Sequence, residues 1–463
     1  MEALGTFSAA ALAQAIRGKK VSSEEVVKAH LRRIEAVNPK LNAVVLLTAD
    51  SALAEARKAD SALARGDLKG PLHGVPMTIK DSLDTAGVVS TGGTKGRASF
   101  VPRQDASAVA RLRAAGAILL GKTNLPELSL GFESVNQIYG RTNNPYNLSC
   151  TPGGSSGGEA AIIAAGASPI GLGADAGGSI RLPAHFCGIV GLKPTTDRVP
   201  RTGHFPPFGG VQTALWQIGP MARYVEDLIM VLSLIAGVDW QDPGVIPMPL
   251  GDPGRVDLQK LRISFHTDNG IISPTAETTD VVRRSARILS EAGSIVEEAR
   301  PEGIEESNEI ISGIYGADGG AGVRKTLQAA GTREANPFLQ QRLKILSPFT
   351  KSISEFGDLM DRWDSYRRRM VSFMERYDAI ICPACAFPAL PHETTHEKIA
   401  AFSYTRAYNL TGWPAVVIRG GTSSEGLPIG VQVVACPWRE DVALRLAGYI
   451  ESALGGWQPP PQI

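Results

Sequence analysis

The sequence predicts an α/β fold, with helices on both faces of a mostly buried sheet. Helical and strand-like periods alternate along most of the chain. The strand-like runs are apolar throughout, as strands covered on both sides are. There are also 50 glycines, enough for many tight turns and close backbone approaches.

Taken in order, Ser22 and Glu25 form a capping box, and Val26, Val27, Leu31 and Ile34 recur at helical spacing until Asn38-Pro39 stops the run. A second helix is predicted over 49–64, ahead of Gly66 and a turn at Gly70-Pro71. The period then changes: residues 75–80 read as a buried strand ending at a lysine. Helix 106–115 and strand 117–120 follow, then helix 159–165, strand 169–172 and helix 225–235. Beyond residue 260 come strand 261–265, helix 278–292, a long amphipathic helix over 353–377 and strand 379–382. Strands 415–418 and 429–434 and a helix over 440–454 complete the pattern. The Pro- and Gly-rich stretch 239–257 reads as a long surface connection. Length alone, at roughly 150 residues per domain, would suggest about three domains. No repeat or low-complexity tract divides the chain, so 1–463 is read as one domain.

Composition narrows the function. Lys plus Arg number 47 against 46 for Asp plus Glu, a net charge of +1, which gives no electrostatic reason to expect a nucleic-acid partner. The N-terminus has no basic segment ahead of its apolar stretch and is a poor secretory signal. Pro and Gly interrupt the uncharged stretches, so no membrane span is predicted. Five scattered cysteines read as buried thiols rather than a disulfide framework. A cytoplasmic location is the expectation.

Three motifs mislead. Gly116-Ala-Ile-Leu-Leu-Gly121-Lys122-Thr123 matches a phosphate loop in letters, but the residues before it are helical and its middle is a strand. Gly153-Gly-Ser155-Ser-Gly157 fits a nucleophile elbow, yet the polar loop 143–152 stands where that elbow needs a strand. His185, His204, His266, His392 and His396 lie in no recognisable triad context. Cys382-Pro-Ala-Cys385 with His392 and His396 is too closely spaced for a zinc finger, and Cys382 ends an apolar strand, so no metal site is expected.

The chemistry is expected in residues 151–195. Two Gly-Gly-Ser elements lie there, and the paired glycines of Ala176-Gly177-Gly178-Ser179 let successive N–H groups turn toward one point. Such a nest suits the charge that develops on a carbonyl oxygen during acyl transfer. A serine beside it is well placed as a nucleophile.

This stretch resembles the signature of the amidase signature family. The resemblance extends through Gly74-Val-Pro76-Met-Thr-Ile-Lys80-Asp81 and Gly121-Lys-Thr-Asn-Leu-Pro-Glu127. It continues through Tyr408-Asn-Leu-Thr-Gly412-Trp-Pro414 and Gly426-Leu-Pro-Ile-Gly430-Val-Gln432. Gly158-Glu159 and Phe186-Cys187-Gly188-Ile189 make it most similar to the fatty acid amide hydrolase-like branch. The resemblance implies a single α/β domain with a large mixed β-sheet sandwiched between α-helices, its signature core at about 66–235. A variable region at about 240–377 would line the substrate pocket.

It also implies a Ser-Ser-Lys triad: Lys80 as base, Ser155 as bridging serine and Ser179 as nucleophile. The oxyanion hole would come from Ala176, Gly177, Gly178 and Ser179, and the peptide Gly154–Ser155 would be cis. A free lysine titrates near 10.4, but burial at the end of an apolar strand would lower that value and let Lys80 act as a base. Asp81, Asp175 and Arg181 are expected to be scaffold. Ser129, Leu130 and Gly131 are candidate substrate contacts, because 127–132 resembles the family's wall near the scissile bond.

The implied activity is hydrolysis of a small-molecule amide, with esters and carbamates (urethanes) within reach of the same acyl-enzyme chemistry and no cofactor required. A homodimer is the one protein partnership allowed for. Two alternatives stand beside this. One is the amidase component of a tRNA-dependent amidotransferase, in which glutamine usually stands where this chain has Leu182. The other is a catalytically silent binding protein on the same scaffold.

Overall fold

The computed structural model describes residues 2–463 except Phe208 and Gln462, and of Glu2 and Ala3 only the backbone. The strands in chain order are β1 (Val44–Leu47), β2 (Pro76–Lys80), β3 (Ile118–Thr123), β4 (Val135–Asn136), β5 (Gly140–Arg141) and β6 (Ile170–Asp175). They continue with β7 (Val190–Lys193), β8 (Gln217–Ala222), β9 (Arg262–Phe265), β10 (Ile295–Glu298), β11 (Ala379–Pro383), β12 (Ala415–Thr422) and β13 (Pro428–Ala435). β4 and β5 form a separate small hairpin.

The other eleven form one mixed sheet in the order β1-β3-β2-β6-β8-β7-β12-β13-β11-β9-β10. β3, β2 and β6 run parallel, as do β11, β9 and β10. The connecting pairs are antiparallel. Apolar clusters cover both faces. Leu119 belongs to one cluster while its neighbours Ile118 and Leu120 belong to the other, as the two-residue strand period requires. The chain is therefore the predicted α/β sandwich with a large mixed sheet between helices.

Most predicted elements are present with shifted ends. The strand read as 117–120 runs on to Thr123, and that read as 169–172 runs on to Asp175. In both, the extension carries glycine and a charged residue that hydropathy does not assign to a core. Lys122 is fully buried, yet its Nζ donates to Leu83 O and, at 3.0 Å each, to Thr85 and Ser90 Oγ. Pro39 does not stop its helix at Asn38. The helix Ser23–Leu41 carries Pro39 in its last turn and ends where Asn42 turns left-handed at φ 51°. A proline there forfeits only one helical hydrogen bond.

Four strands of the main sheet lay outside the prediction, β1, β7, β8 and β10, as did both strands of the small hairpin, β4 and β5. β8 contains Pro220 in mid-sheet, a residue that argues against a central strand. The helices Ser307–Gly316, Ala321–Ala329 and Pro337–Leu346 were likewise unforeseen. The helix expected to reach residue 377 ends at Met374. Stretch 239–257 is the predicted surface connection, with one short 3-10 turn and Trp240 91% exposed. Among the described residues, no helix is long and apolar enough to cross a membrane.

Candidate active site

Lys80 ends β2 in the parallel part of the sheet, completely buried. Two chain reversals meet its ammonium end. One is the loop entering helix Gly157–Ala164, which carries Ser155; the other leaves β6 and carries Ser179 into helix Arg181–Phe186. Lys80 Nζ lies 2.7 Å from Ser155 Oγ. The Gly154–Ser155 peptide is cis. Residue 154 has no room for a side chain, since a Cβ would stand 2.8 Å from Gly131 O, Phe132 C and Glu133 N.

Ser156 N–H donates to Ser179 O at 3.1 Å, which holds the two loops together. Ser155 and Ser179 line one cavity of about 550 Å³. The Lys80–Ser155 link is formed in the resting protein. Among the described residues, no hydrogen bond joins the hydroxyls of Ser155 and Ser179. Resting catalytic contacts of this kind often tighten only when substrate arrives.

The turn 176–179 is shaped from behind. Asp175 accepts from Gly178 N–H at 2.8 Å and from Ile180 N–H at 3.2 Å. Its carboxylate is gripped by Arg181 through Nε and Nη2, each at 2.9 Å, and by Asn409 Nδ2 at 2.9 Å. These cationic and amide donors hold Asp175 well below the ordinary carboxylate range despite full burial, so it stays ionised. Arg181 is satisfied in turn by Thr405 O, Gln432 Oε1 and Asn409 Oδ1.

The carbonyls of the turn are also tied down. Tyr315 OH donates to Ala176 O at 2.8 Å, and Thr405 Oγ1 to Gly177 O at 2.9 Å. With Gly178 N–H committed to Asp175, the N–H groups of Ala176, Gly177 and Ser179 are left without an acceptor among the described residues. Gly178 contributes conformation instead: its φ is 118°, and a Cβ would stand 2.3 Å from Thr405 Oγ1. A Cβ on Gly177 would meet nothing within 4 Å, so that face is open.

Burial lowers the Lys80 ammonium to about 7, against the opposing pull of Asp175 and Glu159. At neutral pH a large fraction of Lys80 is therefore the free amine. Glu159 sits beneath it, accepting from Thr78 Oγ1 and, at 2.7 Å, from Thr123 Oγ1. Burial raises its carboxyl to about 7. A Cβ at residue 171 would collide with the Glu159 carboxylate, so Gly171 makes the room.

Ser129, Leu130 and Gly131 all line the cavity. Leu128 and Ser129 have φ of 55° and 59°, and the buried Ser129 Oγ has no partner in the protein. The rest of the wall comes from 204–216, 311–356 and Arg406. Of the variable region, only 311–356 reaches the cavity. Tyr315, Thr405, Glu159 and Arg406 carried no signal that singled them out. Glu159 figured only as a family mark, and the others lie in segments without a motif.

Other sequence motifs do not converge. Lys122 of the phosphate-loop look-alike is buried inside β3. Cys382 Sγ receives Gln432 Nε2 at 3.3 Å, whereas His392 reaches Leu148 O and His396 packs on Phe338. Among the described residues, no group of three His, Cys, Asp or Glu side chains could hold a metal ion.

The family model described as Amidase matches residues 25–444. Fatty-acid amide hydrolase 2-B of Danio rerio is 36% identical over 98% of this chain and 91% of its own length. A glutamyl-tRNA(Gln) amidotransferase subunit of Moorella thermoacetica is 34% identical over 98% of this chain and 97% of its own. Among solved structures, 6-aminohexanoate cyclic dimer hydrolase complexed with substrate superposes with a TM-score of 0.88 at 27% identity, covering 99% of each chain.

Proposed function

The chain belongs to the amidase family of enzymes, and from that premise we propose that it hydrolyses small-molecule carboxylic amides through Ser179, Ser155 and Lys80. The supporting observation is a buried amine 2.7 Å from Ser155 Oγ, beside a serine-bearing turn with free N–H groups. Neutral Lys80 takes the proton of Ser155 as Ser155 takes that of Ser179. Ser179 Oγ bonds to the acyl carbon, and the developing oxyanion is met by the N–H groups of Ala176, Gly177 and Ser179. The proton returns through the same relay to the nitrogen as the C–N bond breaks. Water then repeats the sequence on the acyl-enzyme and releases the acid.

Esters and carbamates present the same carbonyl carbon and enter the same scheme. Ser129, Leu130 and Gly131 flank the acyl carbon, and the 311–356 wall selects the substrate. The test is fluorophosphonate labelling of the purified chain with peptide mapping, together with a panel of anilides, esters and aryl carbamates. Label on Ser179 and release of aniline by the chain alone are expected. Absence of both would leave a silent binding protein, and turnover only with added partner proteins would favour an amidotransferase component.

A further inference from the structure

We propose that the substrate of this site carries a carboxylate, held between Arg342 and Arg406 on the cavity wall. The inference rests on the amide-hydrolase reading above and names its substrate class.

Several other arginines sequestered by the fold are matched to acids or carbonyls, and the buried Arg223 and Arg419 leave only Nε without a partner. Arg181 has Asp175 and three further acceptors, Arg198 has Glu440 at 2.8 Å, and Arg201 has Asp242 at 2.9 Å. Arg111 is surrounded by the carbonyls of Ile235, Ala236, Gly237 and Val238. The two on the cavity wall differ. Arg406 is 3% exposed, donates only from Nη1 to Asn308 Oδ1, and its buried Nη2 has no acceptor. Arg342 makes no hydrogen bond or ion pair among the described residues, and its guanidinium carbon lies 5.8 Å from the Phe132 ring centroid. Arg406 lies 5.2 Å from the same centroid. Two guanidinium groups thus stand near one aromatic ring, and neither is paired with a carboxylate among the described residues.

The acids of the wall are already engaged. Asp175 is held by Arg181, and Asp318 accepts from Gly320 and Gly322 N–H at 2.7 Å each. Lys351 adds a third cation to the lining. Burial lowers Arg406 to about 9 and Arg342 to about 10, so both remain charged at neutral pH. Like charges gathered in a desolvated wall are unfavourable alone and favourable once an anion joins them. The planar fork of arginine matches a carboxylate through two parallel bonds. The seat lies toward the nest, because Arg406 follows Thr405, whose Oγ1 donates to Gly177 O, and Tyr315, which donates to Ala176 O, lines the same cavity as both guanidinium groups. Leu128, Leu130, Ile314, Leu339 and Leu343 line the rest. The expected ligand is therefore an amide on a short apolar chain that ends in a carboxylate.

Two measurements test this. In calorimetry, glutarate should bind at least about tenfold more tightly than dimethyl glutarate, and Arg342→Met or Arg406→Met should remove the difference. In turnover, glutaric acid monoanilide is compared with its methyl ester, and N-butyryl-4-aminobenzoate with its methyl ester. These pairs place the charge on the acyl and the leaving side respectively. In one pair kcat/KM should favour the acid by on the order of 10²-fold, a ratio that falls toward unity in either Met variant and only in part in Arg406→Lys. Arg342 lies on a partly exposed helix, so its variant tests the idea even where Arg406→Met fails to fold. Ratios near unity in the unaltered enzyme, or equal losses on acid and ester, would overturn it. If no anilide is turned over, the amide reading fails, and glutarate binding alone decides whether the anion seat exists.

Discussion

The signature region and the cavity wall formed by 311–356 and Arg406 treat their buried cations in opposite ways. Around Lys80, every charged group has a protein partner: Lys122 has three acceptors and Asp175 a ring of donors. On the wall, Arg342 has no hydrogen bond or ion pair among the described residues, and Arg406 leaves Nη2 open. A network closed on itself fixes geometry, whereas an open one waits for a ligand. The first region should therefore govern the rate for any substrate, and the second the choice among substrates.

Several substitutions would sharpen or break this contrast. Ser179→Ala should lower anilide turnover by on the order of 10⁴-fold or more, with an unchanged melting curve; substantial residual activity would move the nucleophile elsewhere. Lys80→Met should cost on the order of 10²–10⁴-fold at pH 7 for every substrate. Gly178→Ala should reduce kcat by on the order of 10²-fold, because a Cβ 2.3 Å from Thr405 Oγ1 must shift the turn.

The pH profile of kcat/KM follows the amine. The base works only when neutral, so the rate should fall tenfold per unit below a bend at about 7 and level off above it. A bend near 10 would mean that Lys80 is solvated, and the closed network would lose its central member. The smallest effect belongs to the wall. Ile353, 88% exposed at the cavity rim, should tolerate Ile353→Ser within about 0.5 kcal/mol of stability while KM changes. A matching fall in kcat for all substrates would erase the distinction between the regions.

The same contrast explains what was legible in the sequence. Glycines at 154, 171 and 178 sit where a Cβ would strike backbone or a functional side chain, and such positions leave a fixed signature in the chain. The Lys80, Ser155 and Ser179 segments could be read together through the family resemblance, whose motifs include Gly154 and Gly178. Strands β7 and β8 escaped because Gly, Lys and Pro in a buried sheet mimic loop composition. The wall escaped for a different reason: Tyr315 and Arg406 lie far along the chain from Ala176, and only folding brings them to the same cavity. Gly178 looked like a donor because paired glycines suggest a row of free amides. The Asp175 carboxylate that claims its N–H lies three residues away in sequence, but its orientation is set by Asn409 and Arg181.

The clamp on Arg181 has a consequence for synthesis. Thr405, Asn409 and Gln432, which hold that guanidinium, lie 224, 228 and 251 residues beyond it along the chain. A nascent chain that has not yet reached residue 405 would already possess Lys80, Ser155 and Ser179, yet its Asp175–Arg181 pair would lack these supports. The 176–179 turn would thus gain its full bracing only once residues 405–432 have been made and have docked against it.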